Sequence, residues 1–242
     1  MAVTLAQAMV FQGGSTNVVT ISLGSPPTPG NLIVIGGAGN DNGIKPAGFT
    51  TSFADSGSLN AALYASWKRA SIGDPAGPYQ YTGFAGTYDY GFFIAEFAGA
   101  GNPSVWAEGN AAWTLAGTTE VSNGTVNTLA GSFIIELFNV NTGSTTIAQG
   151  ADSVNESFNI VFHNGLSTSS TGKSYEVIAT RSDATASTAN PTATMPNVTT
   201  ANSNQSQFGL VIPPGSSGGN QGVGSCWGNT NLPNTQLWPA WF

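Results

Sequence analysis

Few residues in this chain could carry out acid–base or nucleophilic chemistry. The single histidine is His163 and the single cysteine is Cys226. A cysteine and a histidine can act as nucleophile and base if the fold brings them together. A serine hydrolase needs a serine in a G-x-S-x-G turn, and GSCWG at 224–228 has cysteine in that place. We therefore predict that the chain is not an enzyme and has no catalytic residues.

Paired carboxylates are the second chemistry to consider, because two of them can hydrolyse a glycosidic bond. Glu96 and Glu136 each lie inside an apolar run, at similar places in the two halves of the chain. Side chains alternate between the faces of a strand, so we expect Glu136 to face water while its neighbours face the core. Solvent-facing or locally bonded carboxylates are therefore favoured over a glycosidase pair.

Tyrosines at a spacing of two could hold a sugar. In the segment PYQYTGFAGTYDYG, each pair of tyrosines falls on one face of a strand or turn. Exposed rings could stack on a glycan, whereas buried rings would pack across strands. Packing is favoured and glycan binding stays open for Tyr79, Tyr81, Tyr88 and Tyr90.

The segment Asn40-Asp41-Asn42 offers oxygen ligands like those at the start of a calcium loop. No glutamate follows at the twelfth position, and such clusters are also common in turns. We predict a turn, with no metal and no cofactor.

Charge is scarce throughout the chain. Of 242 residues only 7% are charged and the formal net charge is −7, whereas an average domain has about 25% charged residues. Five scattered basic residues cannot neutralise a phosphate backbone, which argues against nucleic-acid binding. No apolar run is long enough to span a bilayer, and the opening MAVTLAQAMVFQGG lacks a secretory signal's basic region. We expect no membrane contact and a route outward other than secretion.

Short apolar runs bounded by Gly, Pro, Asn or Ser predict an all-β fold. Many of them are rich in β-branched or aromatic residues, and helical spacing is not sustained. The runs are Asn31–Ile35, Ala61–Trp67, Gly91–Phe97, Ser132–Phe138, Phe158–Phe162, Tyr175–Thr180 and Gln207–Ile212, with weaker candidates at Val18–Leu23, Gln80–Phe84 and Ala112–Leu115.

A faint duplication organises these runs. The first half reads NLIVIGG, GFTTSFADSG, LYASWKRAS, PYQYTGF and FFIAEFAG; the second reads GSFIIEL, TIAQGADSV, YEVIATRSDA, NPTATMPNV and SQFGLVIPP. Two similar halves that each supply four or five strands suit a two-sheet jelly roll. We predict a jelly-roll β-sandwich over residues 1–212.

This order of segments resembles a family of jelly-roll modules found in bacteriophage structural proteins and in some bacterial surface proteins. The residues that carry the resemblance are PGNLIVIGGAG, GFTTSFADSG, AALYASWKRA, YQYTGFAG and FFIAEFAGA, followed by AGSFIIEL, within about 15–214. The family occurs in tail, fibre and head-surface components. The resemblance implies a virion or cell-surface scaffold that adheres or assembles.

Residues 213–242 lie outside this resemblance. They belong to a longer stretch without charged side chains, which begins after Asp183. A Gly/Ser-rich lead, PPGSSGGNQGVG, precedes an aromatic segment. The segment folds back onto its own sandwich or, as we favour, forms an arm that docks on a neighbouring subunit. The predicted contact residues are Trp227, Leu237, Trp238, Trp241 and Phe242.

The sequence thus predicts a bacteriophage virion protein, specifically a capsid decoration or cement protein on the virion surface. Neutral faces can pack against neighbours without burying unpaired charge. The expected partners are other copies of the chain, with a trimer favoured, and other virion proteins such as the major capsid protein. Two alternatives stay open: a tail or fibre receptor-binding module that binds carbohydrate, and a self-assembling extracellular fibre subunit.

Overall fold

The described part of the chain consists of β-strands and connecting turns. A computed structural model describes residues 1–14, 17–39, 43–55, 62–84, 90–112, 119–122, 125–143, 150–166, 173–198 and 204–216. The prediction of an all-β fold is confirmed, and within these ranges no helix is long and apolar enough for a membrane crossing. The strands are β1 Thr4–Gly14, β2 Val18–Ile21, β3 Leu32–Gly39, β4 Thr50–Asp55, β5 Ala62–Arg69, β6 Tyr79–Thr82, β7 Tyr90–Ala98, β8 Ser104–Ala112, β9 Thr119–Ser122, β10 Val126–Thr128, β11 Phe133–Gly143, β12 Ser153–Val154, β13 Asn159–Leu166, β14 Lys173–Ser182, β15 Ser187–Ala189, β16 Thr192–Met195 and β17 Asn204–Ile212.

Two five-stranded antiparallel sheets form the body of the molecule. The first sheet has the order β1-β7-β3-β5-β4, and the second has the order β8-β17-β11-β14-β13. Each sheet is therefore built from one continuous half of the chain. The small sheets β2-β6, β9-β16-β12 and β10-β15 complete the two halves.

Both halves pair their strands in a nested pattern. In the first half β1 pairs with β7, β2 with β6 and β3 with β5. In the second half β8 pairs with β17, β9 with β16, β10 with β15 and β11 with β14. Across the sandwich, β1 contacts β13 and β4 contacts β8. The five strands of the first sheet thus correspond in order to β8, β17, β11, β14 and β13.

The correspondence extends to single residues. Gly30 and Gly131 precede β3 and β11 with φ of 88° and 83°, a left-handed conformation that favours glycine. Gly48 (φ 81°) and Ser157 (φ 62°) stand in the same relation to β4 and β13. Both of those strands also shift register after their second residue. The segment GFTTSFADSG therefore corresponds to SFNIVFHN, whereas the sequence had paired it with TIAQGADSV.

The core has three layers, which explains why the central strands are apolar on both faces. Between the large sheets lie residues such as Val34, Phe93, Leu137 and Phe208. The outer face of the first sheet packs under β2 and β6 with Tyr64, Tyr81 and Phe92. The outer face of the second sheet is covered by residues of the small sheets, and its core comprises Ile134, Phe138, Val140, Val154, Phe158, Tyr175, Val177, Ala179, Ala189, Ala193, Met195, Val198 and Val211.

One end of the sandwich joins the two halves and is called the exit end. The Gly101 N–H donates to the Pro213 carbonyl (2.6 Å), and the Gly215 N–H donates to the Gly99 carbonyl (2.7 Å). The Val3 N–H donates to the Gly131 carbonyl (2.8 Å). The described chain therefore leaves the sandwich from a backbone-bonded position.

Candidate functional site

The tyrosines considered for glycan binding are part of the core. Tyr79, Tyr81 and Tyr90 are 8%, 2% and 5% exposed, and Tyr88 lies outside the described residues. The Tyr79 hydroxyl donates to the Pro75 carbonyl (2.7 Å), and the Tyr81 hydroxyl is hydrogen-bonded to Ser66 (2.5 Å). Burial raises the pKa of Tyr79, as it does that of Tyr81. These three rings therefore pack in the core and have no exposed face on which a sugar could stack.

The arm residues Trp227, Leu237, Trp238, Trp241 and Phe242 all lie outside the described residues. The structure shows that Pro213–Gly215, which precedes them in the chain, is held at the exit end. Met1 lies against Gly99 there and is 87% exposed, and Leu129, two residues before Gly131, is 61% exposed. The last described residues of the chain therefore lie beside exposed apolar side chains.

A cation lies at the end of β5 in the first half and at the end of the corresponding strand β14 in the second half. Lys68 in the first half corresponds to Arg181 in the second, because Ala70 and Asp183 make matching backbone bonds to Asn31 and Ser132. The Lys68 ammonium lies 2.8 Å from Asp74 and over the rings of Phe49 and Tyr79, at 5.8 and 5.9 Å. Arg181 lies over the ring of Phe158, 5.0 Å from its centre. The sequence showed both basic strand ends but not their aromatic partners.

Arg181 joins several elements through its five N–H donors. Its Nε–H donates to Asp183 Oδ1 (2.8 Å), and Nη2 donates to Asp183 Oδ2, Ser187 Oγ and the Thr188 carbonyl. Nη1 donates to the carbonyl and the carboxylate of Glu156, both at 3.3 Å. The Arg181 side chain is only 12% exposed. This guanidinium therefore ties β14 to the turn before β13 and to β15.

Asp183 is the buried counterpart of Arg181. Burial by itself would raise the pKa of this carboxyl, but bonds from Arg181, Thr128 and Ser187 outweigh it and lower the pKa. Glu156 accepts a second bond, from the Asn190 N–H (2.8 Å). The carboxylates thus neutralise the guanidinium, and Glu156 remains partly exposed.

A cleft of about 500 Å³ opens beside this cluster, where β13 begins and β14 ends. Its size falls within the usual range of ligand pockets. The wall is mostly hydroxyl, amide and carboxylate groups with Arg181 among them; the lining residues are Glu156, Ser157, Asn159, Thr180, Arg181, Ser182, Asp183, Ala184, Thr185 and Ser187. The sequence gives no sign of this site, since its residues come from two separate segments, 156–159 and 180–187.

His163 has an acidic partner that the sequence did not indicate. Its Nδ1 lies 2.7 Å from Asp152 Oδ2, and the Tyr175 hydroxyl donates to the same oxygen. The Asp152 side chain is 1% exposed and fixes the imidazole ring. Cys226 lies outside the described residues, so the structure does not place it near His163.

Glu96 and Glu136 are not brought together. Glu96 is on the outer face of the first sheet and Glu136 is on the outer face of the second, so the whole sandwich separates them. The expectation that Glu136 faces water is wrong, because its exposure is 0% under the small sheets. Their places in the repeat also differ, since Glu96 corresponds to Val211 and Glu136 to Ile35.

Glu96 is fully satisfied by local donors. It accepts hydrogen bonds from the Thr28 N–H (2.8 Å), the Asn31 amide (2.6 Å) and the Gln7 amide. Burial alone would raise the pKa of Glu96, but these bonds outweigh it and lower the pKa.

We expect Glu96→Val, which copies Val211, to lower the free energy of unfolding by about 2 kcal/mol, because it leaves these donors unpaired. Chemical denaturation at about pH 7 measures the loss. A lowered pKa stabilises the fold above the ordinary carboxyl range, so the difference from the wild type shrinks as the pH falls toward about 3. An unchanged difference at low pH would contradict this assignment.

No three His, Cys, Asp or Glu side chains come together as a metal site in the part of the chain that the structure describes. Asn40, Asp41 and Asn42 lie outside that part. The candidate site is therefore the exit end together with the Arg181 cleft. No protein-family model, curated protein or solved structure shows a significant match to this chain.

Proposed function

We propose that this chain is a structural protein of a bacteriophage virion, a decoration or cement protein that binds the capsid surface and other copies of itself through its C-terminal arm. The main support is the anchored start of the arm at the exit end, where Gly99–Gly101 holds Pro213–Gly215. A tether with a fixed origin keeps an attached segment at high local concentration near its target. A trimer is the oligomer we favour.

The charge distribution supports a role in packing. Lys68 and Arg181 have acidic partners within their own chain, which leaves little charge to desolvate when two faces meet. Uncharged polar surfaces suit the rim of a protein interface. The residues 217–242, which include three tryptophans and no charged side chain, can extend on the order of 90 Å. That length suffices to reach a neighbouring subunit.

The nested strand pairing supports a jelly-roll interpretation, although with one jelly roll in each half in place of the single one predicted over residues 1–212. A jelly roll is a long hairpin rolled into two sheets, so its first strand pairs with its last and its second with the one before the last. Each half follows this order, from β1 with β7 and from β8 with β17. We therefore interpret the fold as two jelly-roll units in one chain.

The fibre-subunit alternative uses the same arm. It differs from the decoration protein in whether the subunits form a closed oligomer or an open filament. A head-to-tail contact gives a ring when its rotation closes and a filament when it does not. The carbohydrate-binding alternative has less support, since three of its four tyrosines, Tyr79, Tyr81 and Tyr90, are buried and Tyr88 lies outside the described residues. Imaging of purified protein for filaments, and antibody labelling of assembled particles, separate these roles.

Deleting residues 217–242 tests the proposal. We expect the sandwich to stay folded, because the cut spares the bonds of Pro213–Gly215, and self-association or capsid binding to weaken at least tenfold. A hot-spot tryptophan contributes about 2 kcal/mol or more to an interface. Sedimentation velocity measures the association, and a melting curve measures folding.

The double variant Trp238→Ala with Trp241→Ala is expected to reproduce much of the loss. Trp67→Phe, a change in the sandwich, serves as the control and keeps association unchanged. Native-strength assembly of the truncated chain would refute the arm proposal.

A further inference from the structure

We infer that the Arg181 cleft receives a tryptophan side chain from the C-terminal arm of a second copy of this chain. The inference rests on the proposed function, because it says where the assembling arm binds. Its basis is a comparison between the two cation sites, one in each half.

In the first half the cation is enclosed by aromatic rings of its own chain. Lys68 lies over both Phe49 and Tyr79. In the second half Phe158 occupies the place of Phe49, since Phe49 immediately precedes β4 and Phe158 immediately precedes the corresponding strand β13. Among the described residues, Arg181 has no second ring corresponding to Tyr79. Arg181 and Glu156 line the cleft, whereas Phe158 does not.

The bonding of Arg181 defines what it can offer a ligand. All five N–H donors are used within the chain, so the guanidinium has no donor left for an anion. What remains is its flat face, which stacks well on aromatic rings. Tryptophan is the best cation–π partner among the side chains. An indole is therefore the ligand that suits this cation.

The surroundings suit the same ligand. The carboxylate of Glu156 is about one-third exposed and can accept a bond from an indole N–H. Hydroxyl groups of Ser182 and Thr185 can bond the amides of the NTNLPNTQ segment between the arm tryptophans. Because the arm has no charged side chain, a docked tryptophan and its neighbouring side chains place none beside Glu156 and Asp183.

The cleft is also within reach of the arm. Asp183, in its wall, accepts a backbone bond from Gly131 (2.6 Å) at the exit end, where the arm of each copy begins. An arm from an adjoining copy can therefore enter when two exit ends approach each other.

The test uses two full-length variants with complementary defects. Thr185→Tyr fills the cleft and leaves the arm intact, whereas Trp238→Ala with Trp241→Ala alters the arm and leaves the cleft intact. Each alone is expected to self-associate at least tenfold more weakly than the wild type. Mixed together, they are expected to form one-to-one dimers, because one supplies the arm and the other the cleft. Sedimentation velocity measures all three samples.

Ile72→Tyr is the matched control, since Ile72 is 91% exposed and occupies the equivalent turn position of the first half. It should associate like the wild type. If Thr185→Tyr also does so while the arm variant does not, the arm binds elsewhere and this inference fails, although the proposed function stands.

If the arm variant assembles normally, the proposed function itself fails. If both variants are monomeric and their mixture yields no dimer, the arm binds its own chain or another surface, and the inference is again overturned. Melting curves establish that each variant is folded, and Thr185→Ser provides a second, non-blocking substitution that should keep assembly.

Discussion

Arg181→Met is expected to lower the free energy of unfolding by about 3 kcal/mol or more. The substitution keeps much of the side-chain volume but leaves the buried carboxylate of Asp183 without its cation, and such a loss typically costs 3–5 kcal/mol. It also frees the turn at Glu156 and the strand β15 from β14. Urea denaturation at about pH 7, followed by circular dichroism, measures the change.

Lys68→Met is the internal control for this prediction. Lys68 occupies the corresponding place in the first half but has a single ion-pair partner, Asp74. Isolated pairs near the surface contribute roughly 1 kcal/mol or less. Equal losses in the two variants would show that Arg181 does not hold several elements together.

Glu136→Ile is expected to stabilise the protein by about 2 kcal/mol at pH 8. Glu136 is fully buried beside Ala179 and Gly209, and neither carboxyl oxygen has a hydrogen-bond partner among the described residues. An unpaired buried polar group costs about 1–3 kcal/mol. Isoleucine is the residue that the first half has at the equivalent position, Ile35, where it is also fully buried. Urea denaturation of both proteins measures the gain.

The pH dependence gives this prediction a second readout. Burial raises the pKa of Glu136 well above the ordinary value, so the folded state holds its proton to higher pH than the unfolded state. Wild-type stability therefore falls as the pH rises above the ordinary carboxyl range of about 4. The advantage of Glu136→Ile should widen from pH 4 to about pH 8, opposite in sign to the effect of Glu96→Val. A constant difference, or a destabilised variant, would contradict it.

The contrast between these carboxylates shows what the sequence could predict. Runs such as Ser132–Phe138 are apolar on both faces and were readily identified as buried strands. The segments that cover the outer face of the second sheet, such as Val126–Thr128 and Ser187–Ala189, are short and polar, and lack an alternating apolar pattern. Without them, the outer face of the second sheet looked solvent-exposed. Edge strand β1 was missed because it is paired on one side only and its apolar residues are scattered.

The packing of the tyrosines was predicted better than the candidate site. The spacing of the tyrosines correctly placed Tyr79 and Tyr81 on one face, and packing was the favoured alternative. The Arg181 cleft could not be found, because Glu156 and Thr185 come together only after β13 and β14 have paired. Asp152 was likewise missed, since no local pattern links it to His163.

The two halves of the chain meet through contacts between the outer strands of their large sheets. β1 contacts β13 and β4 contacts β8, and in each case an outer strand of one half meets the counterpart of the other outer strand. Two subunits related by a twofold axis meet in this way, with the same patch used twice. The interior of this molecule is thus organised like the interface of a symmetric dimer, made permanent by the short link at Gly99–Pro103. Because the two halves belong to one chain, the sequence of each half can change independently of the other. The first half has Ile35 and Leu63 at the positions where the second half has Glu136 and Glu176.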